Sequence, residues 1–309
     1  MNTVEVRGLS RSFAATQALQ EVSFLVAPGE LCAVVGPDGA GKTTLVRVLC
    51  GLLRPHGGQV FVLSHPLPRE ARAVRRSVGY LSQGFTLYGD LSVDENLAFM
   101  ARLHGVRDFA ARREELLGFT RLAAFHTRPA ALLSGGMKKK LALAATLVHR
   151  PRLILLDEPT TGVDPVSRRD FWVLLSTLRD QGVSILLTTP YLDEAERCDT
   201  VLMLHRGRVL DWNSPAELIR PLKGRVFELT VPAPRQAADL LQRKFGKEVQ
   251  VQLFGDRLDL LLPPTHVQDA LNRIGSLLDG SGLGPAVVRQ RRPRLENAFI
   301  TKIQDKEVA

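Results

Sequence analysis

The sequence predicts an α/β fold in which a mainly parallel sheet carries helices on both faces. Two observations lead to this prediction. Short apolar runs typical of buried strands, such as residues 153–156, alternate with segments of helical periodicity up to about residue 220. A glycine-rich loop also separates one such strand from the helix that follows it. Because the chain has 309 residues, a large domain with a smaller appendage is expected.

The chain begins with a predicted β-hairpin. Residues 2–24 alternate between apolar and polar side chains, and a Pro-Gly turn follows at residues 28–29. Phe13 is the aromatic side chain in the first half of this hairpin. The residue pattern alone favours core packing for Phe13, with stacking on an adenine ring as the alternative.

A predicted phosphate-binding loop follows the hairpin. Residues 36–44 match the pattern G-x-x-x-x-G-K-[ST], with an apolar strand before them and a helix after them. In this order the glycines let backbone N–H groups converge on phosphate oxygens, and the helix N-terminus adds partial positive charge. Lys42 is expected to reach the β- and γ-phosphates, and the Thr43 hydroxyl to bind Mg²⁺. The predicted binding residues are Gly36, Pro37, Asp38, Gly39, Ala40, Gly41, Lys42, Thr43 and Thr44.

Two further segments contain candidate functional residues. Asp157 and Glu158 follow a continuous apolar strand, at the end of the strand where ligands bind in open α/β sheets. Asp157 is expected to hold Mg²⁺ through its water shell, and Glu158 to orient and polarise an attacking water. Upstream, Ser134, Gly135 and Gly136 precede a long helix, whose N-terminus suits an anion. Taken alone, that segment indicates only an ordinary N-cap.

The amino-acid composition is that of a globular protein. The chain is 45% hydrophobic and 24% charged, as in soluble globular proteins. No apolar run approaches the ~20 residues that span a bilayer, and the N-terminus does not resemble a signal peptide. The net charge of +9 is compatible with nucleic acid, an anionic membrane or phosphate ligands. Aromatic residues do not interleave with the scattered arginines as in a base-stacking surface, and the charge alone does not decide among these partners.

The order of these motifs resembles the ATPase subunits of ATP-binding cassette (ABC) transporters over roughly residues 3–215. The resemblance implies a P-loop NTPase of the ABC type, with a mixed-sheet core and a helical subdomain that carries the signature motif. It implies that residues 1–220 form this domain. The matching motifs are Walker A at residues 36–44, the Q-loop at Gln83, the signature at residues 133–137, Walker B at residues 153–157 followed by Glu158, and the D-loop at residues 162–165.

The resemblance also implies how these residues work. Cassettes of this family pair head to tail with two ATP molecules between them, and each ATP contacts the Walker A motif of one cassette and the signature of the other. Phe13 then corresponds to the adenine-stacking aromatic, and Ser134, Gly135, Gly136 and Asp164 to residues that contact nucleotide across the interface. The implied catalytic residues are Glu158, Lys42 and Gln83, and the implied Mg²⁺ ligands are Thr43, Gln83 and Asp157.

Residues 83–97 resemble bacterial drug-exporter cassettes that serve separate membrane subunits. The loop at residues 83–91 is therefore expected to contact a permease, which would place the protein peripherally on the cytoplasmic face of the inner (plasma) membrane. The alternative is a soluble cassette ATPase that acts on nucleic acid or ribosomes. Such proteins usually carry two cassettes or zinc-binding cysteines, which this sequence lacks, so no nucleic-acid partner is expected. A GTPase is disfavoured because no Asn-Lys-x-Asp motif follows the Walker B strand.

Two positions depart from the family pattern. Met137 replaces the usual Gln of the signature, and Pro190 occupies the position of the switch histidine after Thr188 and Thr189. Proline offers neither a side-chain donor nor a backbone N–H. We therefore expect slow hydrolysis at this cassette's own site, and a heterodimer in preference to a homodimer. The amino-terminal cassette of tandem-cassette exporter ATPases is similar in lacking this histidine.

Residues 221–309 predict a second domain. Strand and helix patterns follow the order β-α-β-β-α-β after a linker at residues 221–224, which suggests a ferredoxin-like α+β unit. No catalytic set of residues is found there. A regulatory or dimer-contact role and a purely stabilising role are both open.

Overall fold

The computed structural model describes residues 2–84, 86–246 and 248–308. The chain divides into two compact units, Met1–Ser214 and Pro215–Ala309. This division falls slightly before the boundary at residue 220 that the sequence predicts. The reason is that helix Pro215–Ile219 packs against the C-terminal helix Leu295–Val308 of the second unit.

The first unit contains ten strands and seven α-helices in its described residues. The strands are β1 Val4–Phe13, β2 Thr16–Val26, β3 Leu31–Val35, β4 Gly57–Val62, β5 His65–Leu67, β6 Val78–Leu81, β7 Leu153–Asp157, β8 Ser184–Thr189, β9 Thr200–His205 and β10 Arg208–Asn213. The helices are α1 Lys42–Leu49, α2 Ala71–Ser77, α3 Val93–His104, α4 Phe109–Thr120, α5 Gly135–Leu147, α6 Pro165–Asp180 and α7 Leu192–Ala195. Short 3₁₀ turns lie at Ala123–Phe125 and Ala130–Leu132.

The predicted α/β fold is confirmed. A six-stranded sheet has the order β10-β9-β3-β8-β7-β6, in which β9, β3, β8, β7 and β6 run parallel and β10 pairs antiparallel with β9. Strands β3 and β7 are buried along their whole length, as their continuous apolar sequences predict. Because parallel strands end at the same sheet edge, the segments that follow β3, β6, β7 and β8 meet there.

The hairpin β1–β2 belongs to a separate antiparallel sheet of order β2-β1-β4-β5. Valine and leucine side chains from this sheet share one hydrophobic core with α1 and with β3 and β7. The sheet is therefore part of the same packed unit as the phosphate loop.

Helices α3, α4 and α5 pack together as a helical subdomain. Helix α3 begins with the predicted capping box, in which Ser92 Oγ accepts from Glu95 N–H at 3.2 Å and Glu95 Oε2 accepts from Ser92 N–H at 2.7 Å. Asn96, fully buried on α3, donates to Tyr88 O at 2.9 Å and to Leu91 O at 3.1 Å, and accepts from Tyr88 N–H at 3.0 Å. These bonds fix the second half of the loop at residues 83–91, of which Phe85 lies outside the described residues.

The second unit consists of strands β11 Val226–Thr230, β12 Gln250–Phe254, β13 Arg257–Leu261 and β14 Val287–Gln290, and of helices α8 Pro215–Ile219, α9 Pro234–Phe245, α10 Val267–Gly280 and α11 Leu295–Val308. From β11 to β14 the chain order is β-α-β-β-α-β, and the antiparallel sheet has the order β12-β13-β11-β14. This is the arrangement of a split β-α-β unit. The apolar face of its sheet packs against α9 and α10.

Across residues 2–84, 86–246 and 248–308, no helix combines the length and apolar character needed to cross a bilayer.

Candidate active site

A cavity of about 530 Å³ opens where the loop after β3 meets the N-terminus of α1. Among the predicted site residues, its lining includes most of the phosphate loop and two residues from more distant segments. The predicted residues that line it are Asp38, Gly39, Ala40, Gly41, Lys42, Thr43, Thr44, Gln83 and Glu158. Gly36, Pro37 and Asp157 lie behind this lining and contact it through Lys42 and Thr43.

The loop requires glycine at two positions for packing reasons. A Cβ atom on Gly36 would lie 2.1 Å from Leu204 O, and one on Gly41 would lie 2.5 Å from Ala18 O. Gly41 also has φ +107°, in the region that favours glycine. The loop can therefore lie against β9 and β2 only if these side chains are absent.

Lys42 provides a buried ammonium at the base of the cavity. Its side chain is 4% exposed, and its Nζ donates to Gly36 O at 2.9 Å and to Pro37 O at 3.1 Å. The Nζ also lies 3.5 Å from Glu158 Oε1. A desolvated cation held by neutral carbonyl groups is well placed to take stronger, charged acceptors such as phosphate oxygens.

Asp157 gathers two hydroxyl groups on one carboxylate oxygen. Its Oδ1 accepts from Thr43 Oγ1 at 3.1 Å and from Thr188 Oγ1 at 2.7 Å. Thr188 Oγ1 in turn accepts from the backbone N–H of Glu158 at 2.9 Å. Strand register explains this contact, because Asp157 on β7 pairs with Thr188 on β8. Together with Gln83, this hydroxyl and carboxylate set fits a hard cation such as Mg²⁺.

Glu158 lies between a cation and an amide. Its Oε2 accepts from Gln83 Nε2 at 2.9 Å and from Thr161 Oγ1 at 3.3 Å, and its Oε1 faces Lys42. The residue has φ +48°, a backbone conformation that costs a non-glycine residue of order 1–3 kcal/mol. The carboxylate is therefore held at the cavity by its neighbours despite an unfavourable backbone angle.

Several predicted site residues do not line this cavity. Phe13 is 43% exposed at the end of β1, with the Arg11 guanidinium carbon 4.7 Å from the centre of its ring. Ser134 caps α5 by accepting from Met137 N–H at 3.3 Å, and Asp164 caps α6 by accepting from Ser167 N–H at 2.9 Å. Gly135 and Gly136 form the first turn of α5. The signature segment is thus separate from the phosphate loop of its own chain.

Pro190 follows β8 directly, and the side chains on either side of it contact other residues. Thr189 Oγ1 donates to Glu194 Oε2 at 2.7 Å. The ring of Tyr191 lies under the Arg168 guanidinium, whose carbon is 4.4 Å from the ring centre. Neither side chain is directed by its contacts toward Glu158.

The cavity also contains residues that the sequence did not single out. Thr16, Gln17, Ala18 and Gln20 on β2, and Arg206 in the turn between β9 and β10, line it. Backbone bonds bring these segments together: Gln20 N–H donates to Gly207 O at 2.8 Å, and Gly207 N–H donates to Ala40 O at 3.0 Å. No local motif marks them, because they reach the loop only through long-range pairing.

Known proteins share both sequence and fold with this chain. Residues 19–161 match the family described as ABC transporter. Over 303 residues the chain is 38% identical to "Probable multidrug ABC transporter ATP-binding protein YbhF" of Escherichia coli (strain K12), which covers 96% of this chain and 51% of the relative. The chain therefore spans about half the length of that relative.

Two other relatives match over nearly their full length. "Daunorubicin resistance ATP-binding protein DrrA3" of Streptomyces coeruleorubidus is 37% identical, over 96% of this chain and 94% of its own. "Nod factor export ATP-binding protein I" of Rhizobium etli is 33% identical, over 97% and 93%. A solved structure described as "Structure of ATP binding subunit of ABC transporter" superimposes with a TM-score of 0.65 at 31% identity, over 71% of this chain and 92% of the other.

Proposed function

The chain belongs to the ABC transporter family of ATP-binding proteins, and we propose that it hydrolyses ATP to drive export through separate membrane permease subunits. One observation carries the proposal: Lys42, Gln83 and Glu158 converge in one cavity beside a glycine loop. This combination of cation, amide and carboxylate matches the needs of phosphoryl transfer to water.

Each residue has a distinct role in this proposal. The N–H groups at the start of α1 and the ammonium of Lys42 bind and neutralise the phosphates. Thr43, Asp157 and Gln83 would hold Mg²⁺, which supplies charge neutralisation of the phosphates when bound. Glu158 orients the attacking water and accepts its proton, and Gln83 keeps the carboxylate directed at the cavity.

We further propose that the loop at residues 83–91 contacts the permease and that the protein is peripheral to the cytoplasmic face of the membrane. An exposed aromatic pair supports this: Tyr88 is 50% exposed, Phe99 is 39% exposed, and their rings meet edge to face at 5.0 Å. The names of the relatives refer to multidrug transport, daunorubicin resistance and Nod factor export, which supports drugs or Nod-factor-like compounds as the exported substrates. The alternative role on nucleic acid or ribosomes is not favoured, because these relatives are transporter proteins.

The proposal includes slow hydrolysis at this chain's own site, because Pro190 replaces the switch donor, the Thr189 hydroxyl donates to Glu194 and the Tyr191 ring packs against Arg168. Losing one preorganised donor typically costs about 10²–10³ in rate. We therefore expect Pro190→His to raise the turnover of the purified chain by at least about tenfold. Multiple-turnover release of phosphate from ATP-Mg²⁺ measures this.

The matched variant is Pro190→Ala, which like Pro190→His removes the ring and restores the backbone N–H but adds no side-chain donor, and it is expected to stay within about twofold of the natural chain. Equal rates in all three proteins would contradict an impaired site. A histidine effect smaller than the alanine effect would show that the proline ring or its lack of a backbone N–H, and not the missing side-chain donor, limits the rate.

Head-to-tail pairing with a second cassette, with a heterodimer favoured over a homodimer, is also part of the proposal. The capped N-terminus of α5 at Ser134 lies outside its own cavity and carries no acidic residue in its first turn, which suits a phosphate from another chain. Ser134→Arg is expected to lower the turnover of an assembly that contains this chain by at least about tenfold, since the much larger arginine side chain blocks access to the N-terminus of α5. Equilibrium binding of labelled ATP to the isolated variant should not change.

The proposed activity as a whole is tested by equilibrium binding of labelled ATP to the purified chain, with and without Mg²⁺. Saturable binding supports it. An absence of saturable ATP binding by a folded preparation would overturn it.

A further inference from the structure

Lys139 connects the helical subdomain to the active site through a contact that the activity described above does not use. It lies on α5, and its Nζ donates to the backbone carbonyl of Gln83 at 3.0 Å. Burial lowers the pKa of this ammonium, and the nearby carboxylates of Glu158 and Asp157 oppose that shift. The side chain is therefore a partly desolvated cation that binds the Gln83 carbonyl and interacts electrostatically with Glu158 and Asp157.

A continuous series of polar contacts leads from Lys139 through Gln83 to Glu158. Gln83, whose carbonyl binds Lys139, donates from Nε2 to Glu158 Oε2 at 2.9 Å. The other oxygen of Glu158 lies 3.5 Å from Lys42 Nζ. Glu158 is thus held from one side by the phosphate-loop lysine and from the other by a glutamine whose backbone is anchored on α5.

The neighbouring lysine on α5 has a different role. Lys140 Nζ pairs with Asp170 on α6 at 2.8 Å. This pair ties α5 to another helix and does not involve the loop of Gln83. Of these two adjacent lysines, Lys139 therefore contacts an active-site residue, whereas Lys140 contacts another helix.

We propose that Lys139 is a positioning residue for hydrolysis, which sets Gln83 against Glu158 and links that pair to the N-terminus of α5. An α-helix rises about 1.5 Å per residue, so Ser134 and Lys139 are about 7.5 Å apart along a stiff rod. This inference rests on the proposed function, in which the N-terminus of α5 contacts a nucleotide held by the partner cassette. Occupancy of the partner's site then acts on the hydrolytic carboxylate of this chain through Lys139.

The test separates turnover from binding. Lys139→Met is expected to lower kcat about tenfold, because it frees the backbone that places Gln83. The KM for ATP and the affinity for labelled ATP should stay within about twofold, because Lys139 does not contact the phosphate loop. Lys139→Arg keeps a cation of similar reach and should retain at least half of the natural kcat.

Lys140→Met is the matched control, since it removes the same charge from the next position of α5, and its kcat should stay within about twofold of the natural value. A double-mutant cycle provides the second measurement. Because Lys139 acts through Gln83, adding Lys139→Met to Gln83→Ala should lower kcat by less than about twofold further.

A natural kcat in Lys139→Met, or fully multiplicative effects of Lys139→Met and Gln83→Ala, would overturn the inference. Equal losses in the Lys139 and Lys140 variants would also overturn it, because they would indicate a general effect on α5. If the natural chain binds no ATP, the proposed function itself fails. If the natural chain binds and hydrolyses ATP and Lys139→Met has the same kcat, only the positioning role is rejected.

Discussion

Lys42→Met is expected to weaken the binding of ATP to the purified chain by at least about a hundredfold, the largest effect of any single replacement in the cavity. The ammonium is 4% exposed and is held by two loop carbonyls. Its loss removes charge-assisted bonds to the phosphates. It also leaves Glu158 Oε1 without the cation that lies 3.5 Å away, so the cavity becomes repulsive to a polyanion. Equilibrium titration with labelled ATP measures the change.

Arg47→Met is the matched control for this loss of charge. Arg47 is an exposed basic residue in the last turn of the same helix α1, at the end away from the phosphate loop. Its replacement should change ATP affinity by less than about threefold, as expected for a screened surface charge. Natural affinity in Lys42→Met, with circular dichroism showing a folded protein, would contradict the assignment of the phosphate loop.

Glu158→Gln is expected to reduce the rate of ATP cleavage by about 10²-fold or more while ATP binding persists. The amide keeps the size of the side chain and can still accept the hydrogen bond from Gln83. It cannot accept a proton from water, however, and it no longer carries the charge that faces Lys42. Because we expect the natural rate to be slow, single-turnover cleavage of labelled ATP over hours is the suitable measurement.

The same replacement in the Pro190→His chain gives a more sensitive comparison. There the starting rate is expected to be higher, so the loss on adding Glu158→Gln should be easier to quantify. Unchanged cleavage by both Glu158→Gln proteins would exclude this carboxylate as the base. Loss of ATP binding together with cleavage would instead indicate that Glu158 is needed to hold Lys42 in place.

The sequence predicts the parts of the fold whose signal is local. The apolar run of β7 and the strand, glycine loop and helix around Gly41 define the α/β core, and Ser92 with Glu95 marks the start of α3. The separate antiparallel sheet is harder to predict, because β1 pairs with β4 across about fifty residues of intervening chain. Alternation of side chains identifies such strands but does not name their partners.

The same distinction applies to the candidate site. Contiguous motifs identify Lys42 and Glu158, since neighbouring residues create the loop and the strand end that hold them. Thr188, Arg206 and Lys139 contact the site only through strand register, a distant turn and the packing of α5. Their residue types are ordinary, so nothing in a single sequence distinguishes them from other threonine, arginine or lysine residues.

The bonds between Asn96 and the segment before α3 have a mechanical consequence. Tyr88 both donates to and accepts from this buried amide, and Leu91 accepts from it as well. A force on the aromatic ring of Tyr88 cannot then be absorbed by local bending of the backbone, because such bending would leave the buried amide of Asn96 without hydrogen-bond partners. The force is transmitted instead to helix α3 as a whole. The hydrogen bonds to Asn96 therefore make the segment before α3 mechanically stiff toward a force applied from outside.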